Sequence, residues 1–174
     1  MKIAMSNLLN LPPVTPLVLG VAIATLTLGS CAKPEPAANF PEETKDCIEC
    51  DLQGQDLSNQ DLSGATLNRT TLKDGNLSGT NLSKALLDSV DLSGANLSGA
   101  NLSESALAQA NLSGANLSGA DLTGAFLQGA DLTDAVLDGA VFVNANLSGA
   151  IVDETTLSTL ETSGAILPDG TVNP

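Results

Sequence analysis

The chain contains no histidine, no tryptophan and no tyrosine, and only three phenylalanines in 174 residues. An interior anchored on aromatic rings is therefore excluded, as are imidazole catalysis and imidazole metal ligation. Bases are scarce too, six against twenty acids for a formal charge of −14, so direct binding to a phosphate backbone, which needs clustered Lys and Arg, is disfavoured. Charged residues of both signs make up only 15% of the chain while 43% is hydrophobic. That balance is too apolar for simple disorder, and the length suits one domain.

The one long apolar run, residues 17 to 29 (LVLGVAIATLTLG), is too short to span a bilayer, which takes about 20 residues. Pro12, Pro13 and Pro16 prevent its extension upstream. With Lys2 before it and small residues after it, the segment reads as a signal peptide covering residues 1 to 30. Leu28-Gly29-Ser30-Cys31 resembles a bacterial lipobox, which implies diacylglyceryl transfer to Cys31 and cleavage before it. Ordinary cleavage after Ala32 is the competing reading, since Ser30 and Ala32 offer small residues at the required spacing. Residues 31 to 46 follow as a tether stiffened by Pro34, Pro36 and Pro41, with a short helical cap expected from Pro41 to near Cys47.

From Cys50 the sequence repeats with a period of five. Leu stands at 52, 57, 62 and every fifth place through 137, and Phe142, Leu147, Val152 and Leu157 keep the phase, so twenty-two pentapeptides fill residues 50 to 159. Five matches neither the 3.6 of a helix nor the 2 of a flat strand, so the chain must turn once per repeat. Calling the Leu place i, place i−2 is mostly Ala, i−1 mostly Asn or Asp, and i+2 is Gly in eleven repeats. Small-in, polar-out, large-in is a three-residue strand, and Gly permits the positive φ that a tight corner requires. The expected object is a polygonal prism filled by Leu and Ala, with neighbouring coils paired as parallel strands.

The pattern A-[DN]-L-[ST]-G resembles the pentapeptide-repeat family over roughly residues 47 to 167. The resemblance implies an all-β, right-handed quadrilateral parallel β-helix of twenty residues per coil, with residues 47 to 159 as the β-helix and 160 to 174 as a C-terminal cap and tail. Four sides make about five and a half coils and a rod about 26 Å long. Gln55 and Gln60, at inward places of the first coil, suit a wet end, and a Pro168-Asp169-Gly170 turn closes the other.

Cys47 and Cys50 stand where the tether meets the first coil, and three roles are open to them: a structural disulfide, a redox-responsive pair, or a metal site. The last lacks the four ligands of a tetrahedral centre. TKDCIECDL is similar to the cysteine-containing lead-in of exported pentapeptide proteins of cyanobacteria and chloroplast lumens, which implies the staple and a lumenal or periplasmic address. The outward acids Asp51, Asp56, Asp61, Asp91, Asp121 and Asp131 alternate with Asn, and read as solvated ladders rather than as calcium or catalytic carboxylates. No base, nucleophile or pocket-forming loop accompanies them, so no enzyme, catalytic residue, cofactor or metal is expected.

The polar rule at i−1 fails in few places. At twenty residues per coil, Leu86, Ala106 and Phe126 stack outward on one side, and Val136, Val141 and Ile151 form an apolar collar on the other three. Such patches often mark a partner surface; the competing reading is that they are scattered substitutions a forgiving scaffold tolerates, or are covered by the C-terminal tail. The expected function is a non-catalytic, exported, lipid-anchored interaction module for a protein partner, facing the periplasm or thylakoid lumen or else soluble there. The alternative, from relatives that resemble duplex DNA, is a mimic that binds a topoisomerase such as gyrase.

Overall fold

A computed structural model describes residues 45–174. The apolar run 17 to 29, Cys31 and most of the tether lie outside the described residues, as does the expected helical start at Pro41. Each pentapeptide forms a single parallel bridge with the pentapeptide four further on: Asp51 with Thr71, Asp56 with Asn76, Asp61 with Asn81, Thr66 with Leu86, and so on to Asn146 with Ile166. One coil is therefore twenty residues and has four sides, each only long enough for one bridge.

The repeat centred on Leu97 shows why five residues suffice. The Leu97 N–H donates to Asn116 O at 2.7 Å and the Gly99 N–H to Ser118 O at 2.9 Å, both one coil ahead, while the Asn96 N–H donates back to Gly75 O at 2.9 Å. The Ala100 N–H closes the corner on Leu97 O at 3.0 Å. The fifth donor, the Ser98 N–H, finds no carbonyl and is taken by Oδ1 of Asn96 at 3.2 Å. All five backbone donors are thus satisfied, which a buried or half-buried backbone demands. The same side-chain acceptor serves Ser58, Ser63, Ser93, Ser103, Ser113, Thr123 and Ser148. Asn or Asp at i−1 is therefore part of the backbone's hydrogen bonding, beyond the face ladder read from the sequence. The ladder exists as well: Nδ2 of Asn76 donates to Asp56 at 3.0 Å and that of Asn111 to Asp91 at 3.2 Å.

Corners take positive φ at i+2 whether or not the residue is Gly: Asn59, Arg69 and Lys84 adopt 57°, 59° and 60°. With one positive φ and the i to i+3 bond, these are turns of type II character. Gly is required where a side chain from the coil below lies across the corner, as at Gly79, whose Cβ would meet Oδ1 of Asn59 at 2.7 Å.

Inside, the Leu column is dry. Leu67 through Leu127 are fully buried, and Phe142 takes a Leu place with no exposure. Each such burial contributes about 1.5 to 3 kcal/mol. Thr80 and Ser105 occupy inward i−2 places by donating their hydroxyls to Leu57 O at 2.8 Å and Leu102 O at 2.6 Å; Thr70 does the same to Cys47 O.

The two ends differ from the body. At the start, Cys47 N–H donates to Thr66 O at 2.8 Å and Glu49 N–H to Asn68 O at 3.1 Å, so the lead-in is already part of a coil. Residues 45–47 are not helical; Gln55 is half-buried and Gln60 exposed at this mouth. At the far end the repeat does not run unbroken to 159. Helix α1, Glu154–Leu157, replaces the side that would stand over Val136. Asp153 causes this: its Oδ2 accepts the Thr156 N–H at 3.3 Å and the Thr156 hydroxyl at 3.1 Å, an N-cap arrangement that stabilises a helical turn. Leu157 keeps the five-residue phase in the sequence and is buried, lining the cleft at this end. The coil resumes with Glu161 opposite Val141 and ends in a hairpin at the expected turn, where the Gly170 N–H bonds Leu167 O at 2.9 Å and Val172 pairs antiparallel with Ile166.

Two outcomes test this account. Leu97→Lys places an unpaired charge in the dry column and should cost on the order of 3 to 5 kcal/mol, seen as loss of the β signal and of a cooperative melt in far-UV circular dichroism; an unchanged melt removes the column. The Asx turns set the acid response. The Ser63 hydroxyl first, then its N–H and Lys45, hold the Asp61 carboxyl at about 2, and the neighbouring Ser or Thr hydroxyls hold Asp56, Asp131 and Asp169 below the ordinary 3.8. Depressed folded values stabilise the fold above the ordinary range and lose that contribution as protons bind. Melting temperature should therefore be level from pH 7 to pH 5 and fall between 3.8 and about 2, with a smaller fall in Asp61→Asn; a level profile down to pH 2 contradicts the account.

Candidate interaction surface

The register assigns every outward residue to a face. Thr66, Leu86, Ala106, Phe126, Asn146 and Ile166 form one column, joined bridge by bridge. Leu86 and Phe126 are 43% and 50% exposed, large fractions for such side chains, with Ala106 half-buried between them. The collar lies where the spacing placed it: Val136 follows Asn116, Val141 follows Asp121 and Ile151 follows Asp131, each on a different face. Val136 and Ile151 are exposed and Val141 half-buried. The sequence reading passed over Ile166, which heads the same column, and Val172, which pairs beyond it; the phase of Ile166, one residue before Leu167, was the available signal for the first.

Replacing Asn or Asp by Leu or Ala removes the acceptor for the i+1 N–H; beside Leu86 and Ala106 the loss is made good from the coil below, whereas beside Phe126 the residue below is Ala108, which has no acceptor to offer. The Asp88 N–H donates to Oδ1 of Asn68 at 2.8 Å and the Ala108 N–H to Oδ1 of Asp88 at 3.1 Å. Gly124 and Gly129 form the corners on either side of Phe126 and carry no side chain of their own, but Glu104 and Gln109 of the coil below lie against them.

Charge is unevenly spread along the rod. Lys45, Arg69, Lys73 and Lys84, all the bases of the described residues, precede residue 88, whereas residues 88 to 174 carry eleven acids and no base. Three of those bases pair with nearby acids: Lys45 with Asp61 at 3.3 Å, Arg69 with Glu49 at 3.1 Å and Lys84 with Glu104 at 3.8 Å. Exposed pairs of this kind contribute little to stability, but they leave the C-terminal part as the uncompensated acidic end. The outward carboxylates are kept apart: the next coil places Thr or Asn over Asp51, Asp56 and Asp61, and Asn, Thr or an apolar residue stands above and below each of Asp91, Asp121 and Asp131. Like charges directly opposite in a sheet are destabilising, so the Asn–Asp alternation has an electrostatic cause. Among the described residues no group of three or more His, Cys, Asp or Glu could hold a metal ion.

Cys47 and Cys50 are joined in a disulfide, with Cα atoms 5.5 Å apart. It spans the first corner, from a Leu-type place to the next inward place, where later corners are closed by a hydrogen bond; Cys47 packs against the core. At the opposite end a cleft of about 770 Å³ opens between the α1 segment and the terminal hairpin, lined by Ile151, Val152, Leu157, Leu160, Leu167 and Pro168 among others. No helix of the described residues is long and apolar enough to cross a membrane.

The family model for pentapeptide repeats matches residues 46–83, 85–124 and 127–158, in eight copies. No curated protein matches the chain. Among solved structures, a pentapeptide repeat protein from the Arabidopsis thaliana thylakoid lumen is 34% identical, with a TM-score of 0.58 over 60% of this chain and 73% of its own. A pentapeptide repeat protein from the cyanobacterium Nostoc is also 34% identical, with a TM-score of 0.48 over 59% of this chain and 84% of its own. The plasmid-mediated fluoroquinolone resistance protein QnrB1 is 22% identical, with a TM-score of 0.48 over 75% and 78%. The register of twenty, the Leu column and the family match together make this chain a member of the pentapeptide-repeat family, folded as a right-handed quadrilateral β-helix.

Proposed function

We propose that the protein is a non-catalytic, exported scaffold that binds a protein partner through the Leu86–Ala106–Phe126 face, with Val136, Val141 and Ile151 widening the apolar area toward the C-terminal end. The observation that carries this reading is the exposed apolar column itself, on a rod whose i−1 places before residue 136 are otherwise polar, most of them Asn or Asp whose oxygens the backbone uses. Four further features agree. Family members are generally structural or interaction proteins rather than enzymes. The thylakoid-lumen relative supports an exported address. The signal-peptide and lipobox pattern supports anchoring at Cys31, and the disulfide suits an oxidising compartment.

The alternative of a DNA mimic for a topoisomerase such as gyrase has one observation in its favour, the eleven acids without a base in residues 88 to 174. Its outward carboxylates are, however, each separated by neutral residues along the face, unlike the continuous phosphates of a duplex.

Crosslinking in native membranes, comparing the natural chain with Phe126→Asp, tests the surface: a partner crosslinked by the first and lost in the second is expected, whereas an identical set from both removes the face from the function. Mass spectrometry of the mature membrane form should show an acylated Cys31, and an unmodified start at Lys33 ends the anchor reading.

A further inference from the structure

Resting on the reading of the Leu86–Ala106–Phe126 face as a partner surface, we infer that its occupant is a basic amphipathic α-helix of the partner, lying parallel to the rod axis. The backbone of this face sets the first condition. Its N–H and C=O groups are already bonded to the coils on either side, as in Leu87 N–H to Ala106 O at 2.7 Å and Leu107 N–H to Phe126 O at 2.8 Å. Addition of a strand therefore has no free edge to use here, and recognition must come through side chains.

Dimensions set the second condition. Successive residues of the column are one coil apart, about 4.8 Å, so Leu86 and Phe126 stand about 10 Å from each other. A helix advances about 5.4 Å per turn, and apolar residues spaced three or four apart return to one stripe at nearly that interval. Laid along the axis, such a helix sets one side chain per turn against one coil of the rod. A helix of about 10 Å diameter also suits a single flat strip. Ala106 provides a shallow place between two larger residues.

Charge sets the third. The faces on either side of Phe126 carry Asp121 and Asp131, each five residues away and so at nearly the same height on the rod. They belong to the section of eleven acids without a base. A helix with an apolar stripe and Lys or Arg on both flanks meets both requirements at once. A second copy of this chain would instead bring two acidic sections together, and an anionic lipid surface would be repelled in the same way.

The experiment uses the full chain and an eighteen-residue Leu/Lys peptide with Leu in one stripe and Lys on both flanks. Its controls are the same pattern with Glu for Lys and a scrambled Leu/Lys peptide of identical composition. Titration followed by amide NMR should show saturable binding of the Leu/Lys pattern alone, with shifts centred on residues 86, 106 and 126. Phe126→Asp and, as a second exposed-site change, Leu86→Ser should weaken it about tenfold with the circular dichroism unchanged. Asp121→Asn with Asp131→Asn should weaken it severalfold and reduce its salt dependence. Shifts centred on the opposite Asn96 face, equal binding of the scrambled peptide, or affinity indifferent to Phe126 overturns the inference. So does a Phe126-dependent dimer in sedimentation, or Phe126-dependent binding to zwitterionic phosphatidylcholine vesicles. Native crosslinking separates the two levels: a partner caught through Phe126 while the peptide fails leaves the surface standing and removes the helix, whereas no such partner removes the surface reading itself.

Discussion

The rod depends on a rule about backbone donors. Three of every five N–H groups reach a neighbouring coil, a fourth closes its own corner, and the fifth is held by the Asn or Asp two residues before it. Each partner is fixed by a constant separation along the chain, so the leucine column is a result of the register as much as its cause. Contacts run only between adjacent coils, and stability accordingly accumulates coil by coil instead of through one central core. This also explains why the ends have dedicated structures: a disulfide across the first corner, and a capped helical turn with an antiparallel hairpin at the last coil.

The same rule constrains the outside of the molecule. Ordinarily the exterior of a soluble protein tolerates many substitutions, but here an outward Asn or Asp is a backbone ligand. Leu86 and Ala106 forgo that ligand, and Asn68 and Asp88 restore it from the preceding coil. At these two residues the apolar substitution and its compensation occur together, while Phe126, above Ala108, has no such replacement.

Much of this was legible in the sequence because the period is invariant. The inward leucines, the corners and the stacking of Leu86, Ala106 and Phe126 need only counting once a coil is taken as twenty residues, and that number came from the family resemblance and not from the period. Three features escaped for physical reasons. Helix α1 is hidden because Val152 and Leu157 keep the phase while Asp153 caps a different backbone between them. The backbone role of the outward Asx residues is local hydrogen bonding that composition cannot distinguish from solubility. Thr70, Thr80 and Ser105 look out of place at inward positions until their hydroxyls are seen to find carbonyls. Cys47 and Cys50 left several chemistries open, and their joining across a corner became visible only with the lead-in folded onto the first coil.

Four sides and one pentapeptide per side also govern how such a gene can change. Duplicating five codons between residues 86 and 126 keeps every leucine inside and every corner in place, yet it turns all that follows by a quarter revolution and carries Phe126 to a wall adjoining that of Leu86. Only additions in steps of twenty preserve the alignment of the outward column. A lineage can thus keep its interior faultless while dismantling its docking strip, and relatives that differ by five, ten or fifteen residues in this stretch share an architecture without sharing a binding face.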